Sequence, residues 1–385
     1  MLRRDFLKGV GAATLAAHVP GAAWAQAGGR YERLLVLIEL KGGNDGLNTV
    51  VPYADPEYAS LRPRLALPRD QVLQLDARTG LHSALEPLMA LWKDRELAVV
   101  QGVGYPNANL SHFRSIEIWD TASKSEEYLA DGWLARAFAA SPPPKSYAAD
   151  AVVVGASDMG PFAGGGARAV ALANTEQFLR QAKLAGPVAQ PRNAALAHIM
   201  RVEQDIMQAA AHLDAGHVFR TEFPQGAFGN AVRTAAQVIA GKAGVAAVRL
   251  TLNGFDTHSN QLPVQARLLK ELADGIVALK GALTELGRWD STLVMTYAEF
   301  GRRPRQNQSG GTDHGTASAH FVTGGRVKGG LYGAPPALDR LDGNGNLPFA
   351  VDFRDLYATV LERWWGTGST AALGGRFAPL DILRA

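Results

Sequence analysis

The sequence predicts an α/β fold: a doubly wound, mostly parallel sheet with helices on both faces. Three observations lead there. Short β-branched or Leu-rich runs alternate with longer runs of helical periodicity, the pattern of βα units. The chain has 385 residues, 47% hydrophobic and 19% charged, enough to bury a sizeable core. Ligand-type residues cluster just after the apolar runs, where an open parallel sheet binds its ligands.

Taken in order, strands are expected at Leu34–Leu40, Leu97–Gln101, Ala151–Gly155, Ala247–Asn253, Thr292–Tyr297 and His320–Thr323. Helices are expected over His82–Lys93, Ala194–Leu213, Pro263–Leu286 and Phe353–Trp365, with Asn260 as a cap before the third. The run Ser141-Pro142-Pro143-Pro144-Lys145 reads as a rigid surface connection. No internal repeat and no clear linker divides the body. Residues 26–385 are therefore read as one domain.

The first 25 residues read as an address. Arg3-Arg4-Asp5-Phe6-Leu7-Lys8 precedes an Ala- and Gly-rich apolar stretch that ends in Ala23-Trp24-Ala25. The paired arginines resemble a twin-arginine export signal, which implies passage through the twin-arginine machinery to the periplasm or outside. Removing the segment takes the formal charge from +3 to +1, too small for an electrostatic nucleic-acid binder. The body contains no apolar run long enough to span a membrane, so no transmembrane anchor is expected after cleavage. The absence of Cys excludes disulfide scaffolds, iron–sulfur clusters and thiol nucleophiles.

Four strand ends carry the chemistry. Asp45 sits in a Gly-flanked loop after the first strand, as a metal carboxylate or an ordinary Asn-Asp-Gly turn. Ser111 and His112 lie side by side in a loop with Arg114; Ser111 is either a metal-activated nucleophile or a helix N-cap. Asp256 and His258, two apart, fall on one side of an extended segment and suit a divalent ion. Glu299 follows the Thr292–Tyr297 strand, and Asp313-His314 lies between glycines. His320 is either a ligand or a core histidine. The expected site uses Asp45, Asp256, His258, Glu299, Asp313 and His314 for metal, and Ser111, His112 and Arg114 for catalysis, with Arg302 a second candidate anion clamp. One or two divalent ions are expected, from zinc, manganese, magnesium or calcium. No Gly-x-Ser-x-Gly elbow, phosphate-loop motif or dinucleotide fingerprint is present.

The segments Glu39–Thr49, Ser111–Ser115, Phe255–Gln261, Glu299–Arg302 and Gly311–Gly315, with Asp352-Phe353-Arg354, resemble the bacterial family called domain of unknown function 1501. Such proteins look related to the alkaline phosphatase and sulfatase superfamily. That resemblance implies an alkaline phosphatase-like domain and a metal-centred hydrolase of small-molecule or polymer-borne phosphate, sulfate or related esters. It implies Ser111 as nucleophile and Asp45, Asp256 and His258 as metal ligands. The Asp256–His258 spacing departs from the superfamily's, which supports a competing expectation, a non-catalytic binding or assembly protein with a degenerate site.

Overall fold

The computed structural model describes residues 31–172, 217–241 and 244–384. The export segment and the expected helix over Ala194–Leu213 lie outside the described residues.

Fourteen strands are described: β1 Leu34–Lys41, β2 Val50–Val51, β3 Val72–Gln74, β4 Gly80–His82, β5 Leu97–Gly104, β6 Ala151–Val154, β7 Ala169–Leu172, β8 Ala247–Asn253, β9 Thr292–Tyr297, β10 Gly301–Gln306, β11 Thr312–Gly315, β12 Ser318–Thr323, β13 Gly330–Gly333 and β14 Val351–Asp352. Nine form the main sheet, in the order β13-β5-β12-β9-β1-β8-β6-β7, with β14 beside β5. Within that sheet β12 runs antiparallel to β5 and β9, and the other pairs are parallel. All six strands expected from the sequence lie in it.

The central strand shows why the sheet is covered on both faces. Leu34, Val36, Ile38 and Leu40 enter one hydrophobic core, while Leu35 and Leu37 enter another on the opposite side. Side chains alternate across a strand, so a continuous apolar run feeds two cores at once. The long helix Gln261–Glu285 and the helix Ala227–Ala240 fill the first core. Helices His112–Thr121, Trp133–Ala140 and Phe353–Ala358 fill the second, with Trp364 and Trp365 buried there as well. This is a doubly wound α/β arrangement. Glu39 interrupts the apolar run, and the neighbouring strand answers it: Arg249 Nη2 lies 2.6 Å and Thr251 Oγ1 3.0 Å from its Oε2.

Three local expectations differ. The helix expected over His82–Lys93 is a 3-10 turn, Ser83–Leu88, followed by the short α-helix Met89–Lys93. Pro87 lies inside the 3-10 turn and has no N–H to give an α-helical ladder. The Phe353–Trp365 helix passes after Ala358 into a π turn over Thr359–Trp364. Asn260 precedes the long helix in the left-handed region (φ 47°), and its side chain makes no cap bond.

His320 lies on β12, fully buried, with neither ring nitrogen hydrogen-bonded, 5.4 Å from the Trp119 ring. Burial pushes its pKa down to about 3. The unfolded chain therefore binds a proton below pH 6.5 that the folded chain refuses down to about 3. Stability is expected to fall by roughly 1 kcal/mol per pH unit across that window through this residue alone. In His320→Leu this contribution should vanish, which urea midpoints measured from pH 7 to 4 would register.

Candidate metal centre

Loops from the carboxyl ends of β1, β5, β8 and β9 meet at one edge of the sheet, joined by the β10–β11 hairpin. Gly42 makes the first contact possible. Its φ is +111°, and a Cβ there would stand 2.4 Å from the Asp256 backbone nitrogen. Arg302, fully buried on β10, ties the loops together. Its Nε donates to Gly43 O (2.8 Å), its Nη1 to Thr312 O (2.9 Å), and its Nη2 to Phe255 O (3.0 Å), Gly42 O and Asp256 Oδ1 (2.7 Å).

Around Asp256 stand three imidazoles. His258 Nε2 lies 3.0 Å from Asp256 Oδ1, His314 Nε2 3.2 Å from the same oxygen, and His112 Nε2 3.4 Å from Oδ2. The His258 and His314 Nε2 atoms are 3.0 Å apart. Every outer nitrogen faces an acceptor: His112 Nδ1 meets Glu299 Oε1 at 2.9 Å, His314 Nδ1 meets Leu110 O at 2.8 Å, and His258 Nδ1 meets Asp313 Oδ1 at 3.4 Å. Those partners assign the hydrogen of each neutral ring to Nδ1 and turn its Nε2 lone pair inward. Phe300 closes one side, its ring 4.4 Å from that of His314 and 4.9 Å from that of His112.

The electrostatics favour a cation. Burial alone raises the Asp256 pKa, but the Arg302 hydrogen bond and charge, with His314 and His258, outweigh it and bring it to about 2. Burial pushes His314 below its ordinary value, favouring its neutral form. Converging lone pairs and a carboxylate repel one another unless a proton or a metal ion lies between them. Ligand atoms of His112, Asp256 and His314 all lie within 4.8 Å of one another, a spacing one ion can bridge. A nitrogen-rich set with one carboxylate suits zinc or manganese better than magnesium or calcium.

A family model described as "Protein of unknown function (DUF1501)" matches residues 68–372. The chain belongs to that family. No curated protein matches this DUF1501 chain. Its fold is similar to several solved structures. One is a protein of the alkaline phosphatase superfamily from Vibrio parahaemolyticus, 11% identical, covering 91% of this chain and 71% of that one, with TM-score 0.42. Another is the lipoteichoic acid synthase LtaP from Listeria monocytogenes, 9% identical over 92% and 76%, with TM-score 0.40. A third is the phosphonate monoester hydrolase SpPMH from Silicibacter pomeroyi, 13% identical over 91% and 78%, with TM-score 0.36.

The structure distributes the expected site residues of this DUF1501 protein over distinct positions. Asp256, His258 and His314 come together with His112, which the sequence points to as catalytic rather than as a ligand. Glu299 and Asp313 stand behind histidines instead of facing inward. Glu299 Oε1 also accepts from Gly42 N–H (2.9 Å), and its Oε2 is buried without a partner. Asp45 is engaged elsewhere: Arg62 Nη1 lies 2.6 Å from Oδ2 and Nη2 3.0 Å from Oδ1, Gln261 Nε2 donates to Oδ2, and Leu47 N–H caps onto Oδ1. Both of its oxygens are engaged by protein donors, the Leu47 N–H among them as in an Asn-Asp-Gly turn.

Arg114 also departs from its expected role. It donates to the carbonyls of Lys124, Ser125 and Glu127, pairs with Glu117 (3.0 Å) and packs 3.8 Å from the Tyr128 ring. It clasps a loop, and the Arg302 guanidinium is engaged by four carbonyls and Asp256. Ser111 occupies the N-cap position of helix His112–Thr121, exposed, with no cap hydrogen bond from its hydroxyl. The outer carboxylate predicts a graded effect. Glu299→Gln should weaken divalent-metal binding about 10–100-fold by leaving His112 without its anionic partner, measurable by competition with a chelating dye.

Proposed function

We propose that this chain is an exported metal-dependent hydrolase of a phosphate, sulfate or related ester, delivered to the periplasm or outside by the twin-arginine route. The observation that carries the metal reading is the convergence of three imidazole Nε2 atoms on Asp256, each ring held from behind. The ester class and the export rest on the sequence resemblances. His112, His258, His314 and Asp256 would hold the ion. When bound, it supplies Lewis acidity that lowers the pKa of a hydroxyl or water and offsets charge on the transferred group.

The chain's own residues prepare the rest. Leu110 contacts His314 through its carbonyl and His112 belongs to the cluster, so Ser111 between them is held beside it along the chain. Its exposed hydroxyl accepts no capping bond and is available as nucleophile. The first-turn N–H groups of the ten-residue helix that follows favour an anion there. Phe300 limits water on one flank of the histidines. Occupation of Asp45 by Arg62 favours one ion over two.

The test is metal analysis of protein exported by its own signal, then a screen of chromogenic phosphate, sulfate and phosphonate esters. About one ion per chain and turnover abolished by chelation are expected. In Ser111→Ala turnover should drop at least about 100-fold, with metal content and melting temperature unchanged because the hydroxyl caps nothing. Metal-loaded protein that cleaves none of the esters would remove the hydrolase reading and leave the metal centre standing.

A further inference from the structure

A second concavity lies on the other side of the loop that carries Asp45. It is framed by Gly46 and Leu47, the end of β5, the start of β12, and the segments 334–340 and 347–350, with a volume of about 140 Å³. None of its walls comes from the histidine cluster. Val50, Pro335, Leu347 and Phe349 give it a mainly apolar lining. A cavity of that size matches a single six-membered ring, since an apolar cavity near 150 Å³ binds benzene.

Three polar side chains, Gln101, Ser318 and Arg340, break the apolar lining. Gln101 is only 5% exposed and lines the cavity, yet its side-chain amide makes no hydrogen bond within the described residues. Ser318 cannot answer it as a donor, because its hydroxyl donates to Asn44 O (3.1 Å). An amide that lines a mainly apolar cavity and has no protein partner is open to a ligand's polar group, as donor or acceptor. Arg340 also lines the cavity, its side chain 81% exposed and 3.7 Å from Asp339, beyond hydrogen-bond range.

We propose that this cavity binds a small planar aromatic carboxylate. The ring occupies the apolar walls, a hydroxyl or similar group opposite the carboxylate meets the Gln101 amide, and the carboxylate meets the Arg340 guanidinium. The order follows from burial: the neutral amide is the inner group and the cation the outer one. Guanidinium matches a carboxylate with two parallel N–H donors, and an amide suits a phenol as donor or acceptor. The site is independent of the hydrolase reading.

The probe is 4-hydroxybenzoate, titrated into the full chain by calorimetry and saturation-transfer NMR, with and without prior metal removal. Saturable binding that survives metal removal is expected, with benzoate and 4-hydroxybenzyl alcohol both weaker. Gln101→Leu should weaken 4-hydroxybenzoate about tenfold and benzoate hardly at all, because only the first has a group for the amide. Arg340→Ala should weaken both carboxylates by about threefold, the modest effect of an exposed pair, and leave the alcohol unchanged. Ala334→Phe, at the exposed rim, should abolish binding by filling the space. Melting curves of each variant identify any that fail to fold. Three results would overturn the proposal: no saturable binding at millimolar concentrations, binding lost on metal removal, or binding indifferent to all three folded variants.

Discussion

Purified Asp256→Asn protein is expected to carry almost no divalent metal and to cleave no ester measurably, while melting near the wild-type temperature. The carboxylate is the common neighbour of His112, His258 and His314, at 3.0 to 3.4 Å. It supplies the negative charge among three imidazole nitrogens. Partners that only orient a ligand are worth about 10–100-fold in affinity, and loss of a direct anionic ligand should exceed that. Asparagine keeps an acceptor for Arg302, which retains four backbone carbonyls, so the buried guanidinium is not stranded. Emission spectrometry on dialysed protein reads the result. Full metal content in Asp256→Asn would place the ion elsewhere.

Arg62→Met is expected to produce the largest loss of stability, about 3–5 kcal/mol by urea unfolding, because it strands a buried anion. Arg62 and Asp45 are 0% and 1% exposed and joined by two hydrogen bonds. The guanidinium also donates to Pro304 O (2.7 Å), Asn48 Oδ1 (2.7 Å) and Arg303 O (3.0 Å), bracing the first loop against β10. Asp45→Asn should cost less, about 1–3 kcal/mol, since the amide still accepts one bond. The double variant should recover part of the Arg62→Met loss, because no uncompensated charge remains. Metal content of Asp45→Asn should equal wild type. Loss of metal in that variant would return Asp45 to the ligand set.

The two variants mark where sequence reasoning succeeded and where it stopped. Asp256-x-His258 was legible because a period of two turns both side chains the same way, and they are 3.0 Å apart. His314 was legible from its pairing with Asp313 between glycines, although the two face different neighbours. His112 as a ligand was not, since it begins a helix about 140 residues before Asp256, and sequence distance carries no geometry. One signal was available: an imidazole directly after Ser111 in a strand-end loop, which suits a ligand as well as a catalytic group. The pairing of Asp45 with Arg62 was not legible either, for a different reason. A carboxylate in a glycine-rich loop looks the same whether its partner is a metal or an arginine, and Arg62 lies in a separate segment with no motif.

What the sequence by itself determined is local and periodic. The apolar runs specify strands, their length specifies burial on two faces, and the polar residues after them specify the edge at which a site forms. Each follows from alternation along a single segment. What only the tertiary structure decided is which side chains within that edge face one another. His112, Asp256 and His314 are assembled by the strand order β5-β12-β9-β1-β8 and the β10–β11 hairpin. The division between ligand and support is equally tertiary: Glu299 stands behind His112 because Gly42 N–H and the His112 ring hold its oxygen there. Carboxylates and imidazoles are interchangeable as residue types. Their roles are set by which lone pairs remain after neighbours distant in the chain have taken theirs.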